Sequence, residues 1–254
     1  MLRRALLAIC LSLLLSPLHA ATQITVWNYY NSPPFYDATS SAGLTPALVA
    51  YLNQALAGRY QLELHTVPRA RLNALLQQHA QGIIFLAPSV AFGQAEYRAY
   101  QWSPPLLVDR QELVSPADSP VEFQSPDTLK PLRTGGILGH VYPALQAQIE
   151  EGSLSIYRVS NEAQIIDMLL AGRLDAGTMA ATSLDYWMQQ HPALAPRLHR
   201  SSRNLGQFTR HLLYTPGLQT ARIAIDQALR EAAGDPAWRA VFAQYGLQAL
   251  QAPR

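Results

Sequence analysis

The sequence holds a single cysteine, Cys10, so no intrachain disulfide can form and no thiolate cluster can hold a metal. Lysine is as scarce. Lys130 is the only one and sits in no Gly-rich phosphate loop, which removes a P-loop and any mechanism that needs two lysines. Charge of one sign is not in excess: 19 Lys and Arg stand against 17 Asp and Glu, and Arg3 and Arg4 account for the formal +2. That balance favours neither nucleic acid nor an anionic membrane surface as a partner. There is no G-x-S-x-G, no H-E-x-x-H and no histidine pair at metal spacing. Gly135-Gly136-Ile137-Leu138-Gly139 lacks the spacing and the acidic partner of a dinucleotide loop. No cofactor or metal is therefore expected.

A long apolar run is also missing. The run from Ala5 to Leu15 falls short of the roughly 20 residues that span a bilayer. It follows the basic Arg3 and Arg4 and precedes Pro17 and then Leu18-His19-Ala20, with a small residue before Ala21. That order marks residues 1–20 as a cleavable signal peptide, so the remainder is expected to work outside the cytoplasm. A lipoprotein leader acylated at Cys10 is the alternative, disfavoured by the bulky Ile9 and by the place of Cys10 inside the apolar run. The mature chain then has no cysteine, and its stability rests on apolar cores.

What is present is an alternation of short apolar runs with helices that have clear ends, which predicts an α/β protein. Ile24 to Trp27, Leu62 to Val67 and Gly82 to Leu86 read as strands. Thr45-Pro46 reads as a cap and first-turn proline for a helix carrying Leu48, Tyr51, Leu52 and Ala55. A helix from Pro68 places Leu72, Leu75, Leu76 and His79 on one face. Pro116, Pro120, Pro126 and Pro131 mark a boundary rather than a core element. A second α/β unit follows. Arg133 to Leu138 is a strand running into Gly139-His140 and a helix, and Ile156 to Val159 a strand before a helix capped by Ser160. Asp175 to Met179 is a strand, and Thr182 with Asp185 suggests a capping box for a helix stopped by Pro192. Leu212 to Thr215 reads as a returning strand. Two closing helices end the chain, one with Ala221, Ile225, Ala228, Leu229 and Ala232 inward, one capped by Asp235-Pro236.

Three features point to a small-molecule site. Trp27 to Tyr36 places Trp27, Tyr29, Tyr30, Phe35 and Tyr36 beside Asn28 and Asn31 directly after a strand, and flat rings beside amides suit an organic ligand. The alternative is a loop folded onto its own lobe. Arg69 and Arg71 fall in a first helical turn, where the macrodipole disfavours cations by roughly 0.3–1 kcal/mol each. An anionic ligand would offset that; snorkelling along the helix flanks would serve as well. Gly139-His140-Val141-Tyr142 lies at a strand-to-helix junction, where free backbone N–H groups bind carboxylate or phosphate, or where His140 simply caps.

With these features in order, the chain resembles the periplasmic solute-binding proteins of family 3, the amino-acid ABC transporter type. The resemblance rests on Tyr30 to Phe35, Gly43-Leu44 with the helix through Asn53, and Pro68 to Leu72. It continues through Tyr100 to Leu106, Gly136 to Tyr142, and Leu170 to Ala176. It implies a type II periplasmic binding protein fold, with two α/β lobes joined by two crossover strands. Residues 22–110 plus 213–254 would form one lobe and 111–212 the other, closing by a hinge on a ligand in the cleft. It implies candidate contacts at Trp27, Tyr29, Tyr30, Phe35, Arg69, Arg71, Ser89 and Trp102 in the first lobe. In the second they are His140, Tyr142, Ala181 and Thr182.

Two departures from the family pattern stand out. The arginine that clamps an amino-acid carboxylate falls at Glu96, with Arg98 two residues away. The aspartate for the ammonium falls at Ala180. Either Arg69, Arg71 or Arg98 takes over, or the ligand is not an ordinary amino acid. The function implied is periplasmic binding of a small organic solute by a monomer, for an ABC permease or a membrane sensor, without catalysis. A periplasmic dehydratase or lyase on the same scaffold, with Glu96 and His140 as acid and base, is the alternative.

Overall fold

The computed structural model describes residues 20–90 and 100–250. Residues 1–19, with Cys10, lie outside the described residues, as do Glu96 and Arg98. Three parallel strands open the fold, β1 (Thr22–Asn28), β2 (Tyr60–Thr66) and β3 (Ile83–Pro88), linked by the helices α1 (Leu44–Ala55) and α2 (Arg69–Gln77). The almost uninterrupted apolar run of β3 is buried along most of its length, as a strand covered on both faces must be.

The start of α1 differs from the sequence reading. Its cap is Gly43, not Thr45, because the aromatic loop does the capping: Leu44 and Thr45 donate their backbone N–H to the carbonyls of Pro34 and Phe35 at 2.8 and 3.0 Å. Gly43 is required there. A Cβ at this position would lie 2.4 Å from the Phe35 carbonyl oxygen, with the backbone at φ 142°. In α2, Leu72 and Leu76 are buried, whereas His79 lies past the helix end, exposed and at φ 57°. The helical spacing that assigned it to the apolar face stops two residues earlier.

The chain then passes through β4 (Gln101–Trp102) into the ten-residue β5 (Leu107–Pro116). Beyond it come β6 (Thr134–Ile137), α3 (Gln146–Glu150), β7 (Ile156–Val159), α4 (Glu162–Leu170), β8 (Ala176–Ala180), α5 (Ala181–Gln190) and β9 (Leu198–Arg200). The returning strand β10 (Gly206–Tyr214) starts six residues earlier than the apolar run Leu212 to Thr215 suggested. Helices α6 (Gln219–Ala232) and α7 (Pro236–Ala243) close the fold with the expected faces and with the Asp235 cap on Ala237. The strands follow the order β2-β1-β3-β10-β5-β8-β6-β7, with β5 and β10 antiparallel at its centre.

Three cap assignments change in the structure. The strand β6 is followed by a turn, and helix α3 begins only at Gln146, since His140 donates its N–H back to the Ile137 carbonyl at 3.1 Å. Asn161, not Ser160, caps α4 by accepting from Gln164 N. Thr182 and Asp185 form no capping box; Asp185 pairs instead with Arg200. The proline-rich stretch is also more than a boundary, because Phe123 and Leu129 are buried in a core.

Buried apolar side chains gather in one large cluster drawn from residues 24–107 and 212–242. Residues 113–205 supply two smaller ones, and the β5 neighbours Leu113 and Val114 face different ones, as alternation on a strand dictates. No helix among the described residues is long and apolar enough to cross a membrane.

Candidate functional site

A cavity of about 130 Å³ lies where the large cluster meets the two smaller ones. Its wall takes Tyr29, Tyr30, Phe35 and Arg69 from the first three strands and their connections. Ile137, His140, Tyr142, Glu162 and Ala180 come from the other side, and Gln111, Phe208 and Arg210 from the central strands. Contacts cross it. The Tyr29 and His140 rings meet edge to face with centroids 6.3 Å apart, and the Arg69 guanidinium lies 5.0 Å over the Tyr29 ring. The Arg69 stem packs so closely on Gly139 that a Cβ there would approach its Cγ to 2.9 Å.

The aromatic loop reaches the wall because Asn28, at the end of β1, turns it. The Asn28 amide donates to the Tyr30 carbonyl at 2.8 Å, and its oxygen accepts from Tyr30 N at 3.3 Å. Tyr29 and Tyr30 then stack at 4.4 Å, and Tyr30 packs on Phe35 at 4.8 Å.

Beneath these rings lies a charge pair that the sequence reading missed. Arg210 on β10 and Asp109 on β5 are both almost fully buried, with guanidinium and carboxylate 2.6 Å apart and a second bond from Nε at 2.8 Å. Arg210 also donates to the Tyr30 hydroxyl at 2.6 Å and to the Leu86 carbonyl at 3.3 Å, and lies 4.3 Å over the Phe35 ring. Asp109 accepts in turn from the Thr182 hydroxyl at 2.8 Å and backbone N–H at 3.2 Å, so it holds the first turn of α5. Both charges are thus paired and hydrogen-bonded, the condition under which burial is tolerated. Burial pulls the Arg210 guanidinium down, but Tyr30 and Asp109 reverse this and hold it above its ordinary value. Burial likewise holds the Tyr30 phenol well above its usual range.

Glu162 opens α4 and is buried at the cavity wall. Burial pushes its carboxyl up, against the opposing pull of the Ser32 hydroxyl and of Arg210. His140 is driven the other way. Burial, with the charges of Arg69, Arg210 and Arg158 adding to it, takes its imidazole down to about 3, so it is neutral at neutral pH.

Of the residues expected at the site, Tyr29, Tyr30, Phe35, Arg69, His140 and Tyr142 line the cavity. The others do not. Trp27 is buried in the first core, where its ring covers Gly82. Arg71 is exposed on the outer flank of α2. Ser89 is tied to Thr209, its N–H donating to that carbonyl at 2.9 Å. Trp102 packs edge to face on His211 at 5.5 Å. Ala181 and Thr182 line a separate hollow on the far side of β5, together with Tyr245 and Leu247. The expected helix N-terminus at Gly139 to Tyr142 is absent, for His140 N is spent in the turn and the Tyr142 hydroxyl accepts from Ile137 N at 2.6 Å. Ala180 does face the cavity, with a methyl group where the family pattern has a carboxylate.

Of Arg210, Asp109 and Glu162, only the first two carried a legible signal. Asp109 and Arg210 occupy inward-facing positions of strands whose apolar neighbours are buried, and a charge there has to find a partner. Glu162 had none, since an acid in a first helical turn is ordinary. No group of three or more metal-binding side chains occurs among the described residues.

No protein-family model and no curated protein matches the sequence. Solved structures match it in fold. A histidine kinase sensor domain with similarity to periplasmic binding proteins superposes with a TM-score of 0.74 at 14% identity, over 91% of this chain and 99% of that one. A protein assigned to L-cystine ABC transport in Listeria monocytogenes gives 0.74 at 16% identity, over 92% and 100%. An ancestral arginine-binding protein bound to arginine gives 0.72 at 16% identity, over 89% and 99%. The chain therefore has the α/β fold of the periplasmic binding proteins.

Proposed function

We propose that this chain is a periplasmic binding protein that holds a small organic solute in the cavity, without catalysis, for an ABC permease or a membrane sensor. The observation that carries the reading is the wall of that cavity: no single core builds it. Tyr29, Phe35 and Arg69 come from one side, His140, Tyr142 and Glu162 from the other, and Gln111 and Arg210 from the two strands between them. A ligand there touches both sides only when they are together, so binding would favour the closed arrangement over an open one. In this reading residues 22–110 plus 213–254 and residues 111–212 are the two lobes, β5 and β10 are the hinge, and the protein is a monomer cut after Ala20.

The size and lining suit a single metabolite rather than a peptide or polymer. The relatives in fold include a sensor domain, an ABC transport protein and an arginine binder, which supports ligand capture and leaves delivery to either kind of partner.

A thermal-shift screen against amino acids, organic acids, amines and polyols tests it. A true ligand at a hundred times its Kd stabilises by about 2.7 kcal/mol, contracts the protein in small-angle scattering and is recovered unchanged. A ligand consumed during incubation would replace the reading with an enzyme, and a shift without contraction would remove hinge closure from it. Mass spectrometry of protein taken from the periplasm checks the cut after Ala20.

A further inference from the structure

Either hydroxyl of the Tyr29–Tyr30 pair could donate in their 2.9 Å bond, and the groups behind the aromatic wall decide between the two. Leu86 is buried in β3 yet has φ 54°, a left-handed backbone that a leucine adopts only under constraint. Its carbonyl accepts from the Tyr30 hydroxyl at 3.0 Å and from Arg210 at 3.3 Å. Tyr30 has one hydroxyl proton, and this bond uses it. The two lone pairs of the same oxygen face Arg210, which donates at 2.6 Å, and the Tyr29 hydroxyl at 2.9 Å. A guanidinium cannot accept. With the Tyr30 proton on Leu86, the bond between the two tyrosines forms only if Tyr29 donates. The reverse order would leave the buried Leu86 carbonyl with the longer Arg210 bond alone, a loss that a buried acceptor does not recover from water.

From this chain we infer that Tyr29 presents its phenol oxygen to the cavity as an acceptor only and selects solutes that offer an N–H or O–H donor. Tyr30 and Arg210 are positioning residues for this, and Asp109, which takes two bonds from the guanidinium, keeps Arg210 in place. The inference rests on the cavity being the solute site and adds the polarity of one of its contacts. It is independent of ligand charge, because a primary ammonium, an amide and an alcohol all carry the required proton, whereas a trimethylammonium or a methyl ether of similar shape does not.

The test uses the full chain as processed, and matched probes: amino acids, ethanolamine and putrescine, each beside its fully N-methylated form, and glycerol-type polyols beside their methyl ethers. In the wild type, at least one donor-bearing probe should bind ten-fold or more tightly than its methylated counterpart by calorimetry. Tyr29→Phe should bring that pair within about three-fold, with the melting temperature little changed. Tyr30→Phe should also relax the preference, since it frees the Tyr29 proton to turn outward and lets methyl ethers accept from it. Equal binding within the wild-type pairs, or an undiminished preference in both variants, would overturn the inference and leave solute binding standing. If no probe of either kind binds and the wider screen, organic acids included, also finds no ligand, the binding reading itself fails.

Discussion

The two sides of the cavity are built to different standards. On one side a single continuous core runs from β1 to α7 and supports a wall of stacked rings fastened to a buried ion pair. On the other, the apolar side chains split into two smaller clusters on opposite faces of β6 and β8, and the wall is a turn, Ile137 to Tyr142, and the first residue of α4. The difference teaches which side can serve as a template. Rings held by Asn28, Arg210 and one another have few alternatives, whereas a turn fastened by the Tyr142 hydroxyl and the Arg158 bonds to the Ile137 and His140 carbonyls can adjust. A small solute would then be sorted by the ring side and clamped by the turn side.

The strongest way to break this contrast is to remove what couples the two sides. Asp109→Ala leaves Arg210 buried without its counter-charge and releases Thr182 on α5, and should cost roughly 3–5 kcal/mol. Chemical denaturation should also lose cooperativity, with tryptophan fluorescence and circular dichroism no longer coincident. Retention of one sharp transition would show that the sides are coupled elsewhere.

A pair of core truncations sharpens the contrast. Phe85→Ala in the large cluster should cost roughly 3–5 kcal/mol and Leu184→Ala in a small one roughly 2–5 kcal/mol, both residues being fully buried. The informative readout is hydrogen exchange. Phe85→Ala should speed exchange throughout β1 to β3, while Leu184→Ala should confine its effect to β5 through β9. Equal and global effects would mean a single folding unit.

A smaller effect is expected where the sequence was most transparent. Asp235→Ala removes the cap on α7 and the 2.7 Å bond from the Tyr51 hydroxyl, for a loss of about 1 kcal/mol in thermal or urea unfolding.

The last prediction is silent at neutral pH. His140 is held down to about 3 when folded and returns to roughly 6.5 when unfolded. The unfolded chain therefore takes up more protons between those values. The stability that neutral His140 permits is complete above pH 6.5 and is lost as the pH falls towards 3. His140→Gln should flatten the fall in melting temperature between pH 6.5 and 4 without changing it at pH 8.

The α/β alternation, the aromatic loop at the end of β1 and the faces of α6 were legible because each is a local pattern. Periodicity, turn chemistry and a capping residue state themselves within a dozen residues. The six wall residues foreseen all lie in such segments. The errors lie at helix starts, where a shift of one or two residues decides the cap. Thr45, Ser160 and Thr182 each look like caps, yet Gly43, Asn161 and Ala180 hold those places. In α1 the loop carbonyls of Pro34 and Phe35, which stand beside it only in the folded chain, take the backbone N–H groups.

By itself, then, the sequence determined the class of fold, a chain whose structure owes nothing to disulfides, and an aromatic segment that has to face something other than water. Only the tertiary structure decided the site. Arg210 and Asp109 lie 101 residues apart, and Glu162 comes from the far side of the cavity. A buried charge has meaning only through its partner, and neither local pattern nor composition states who that partner is. The antiparallel pairing of β5 with β10 brings them together, and with them the hydrogen bonds that hold Tyr30.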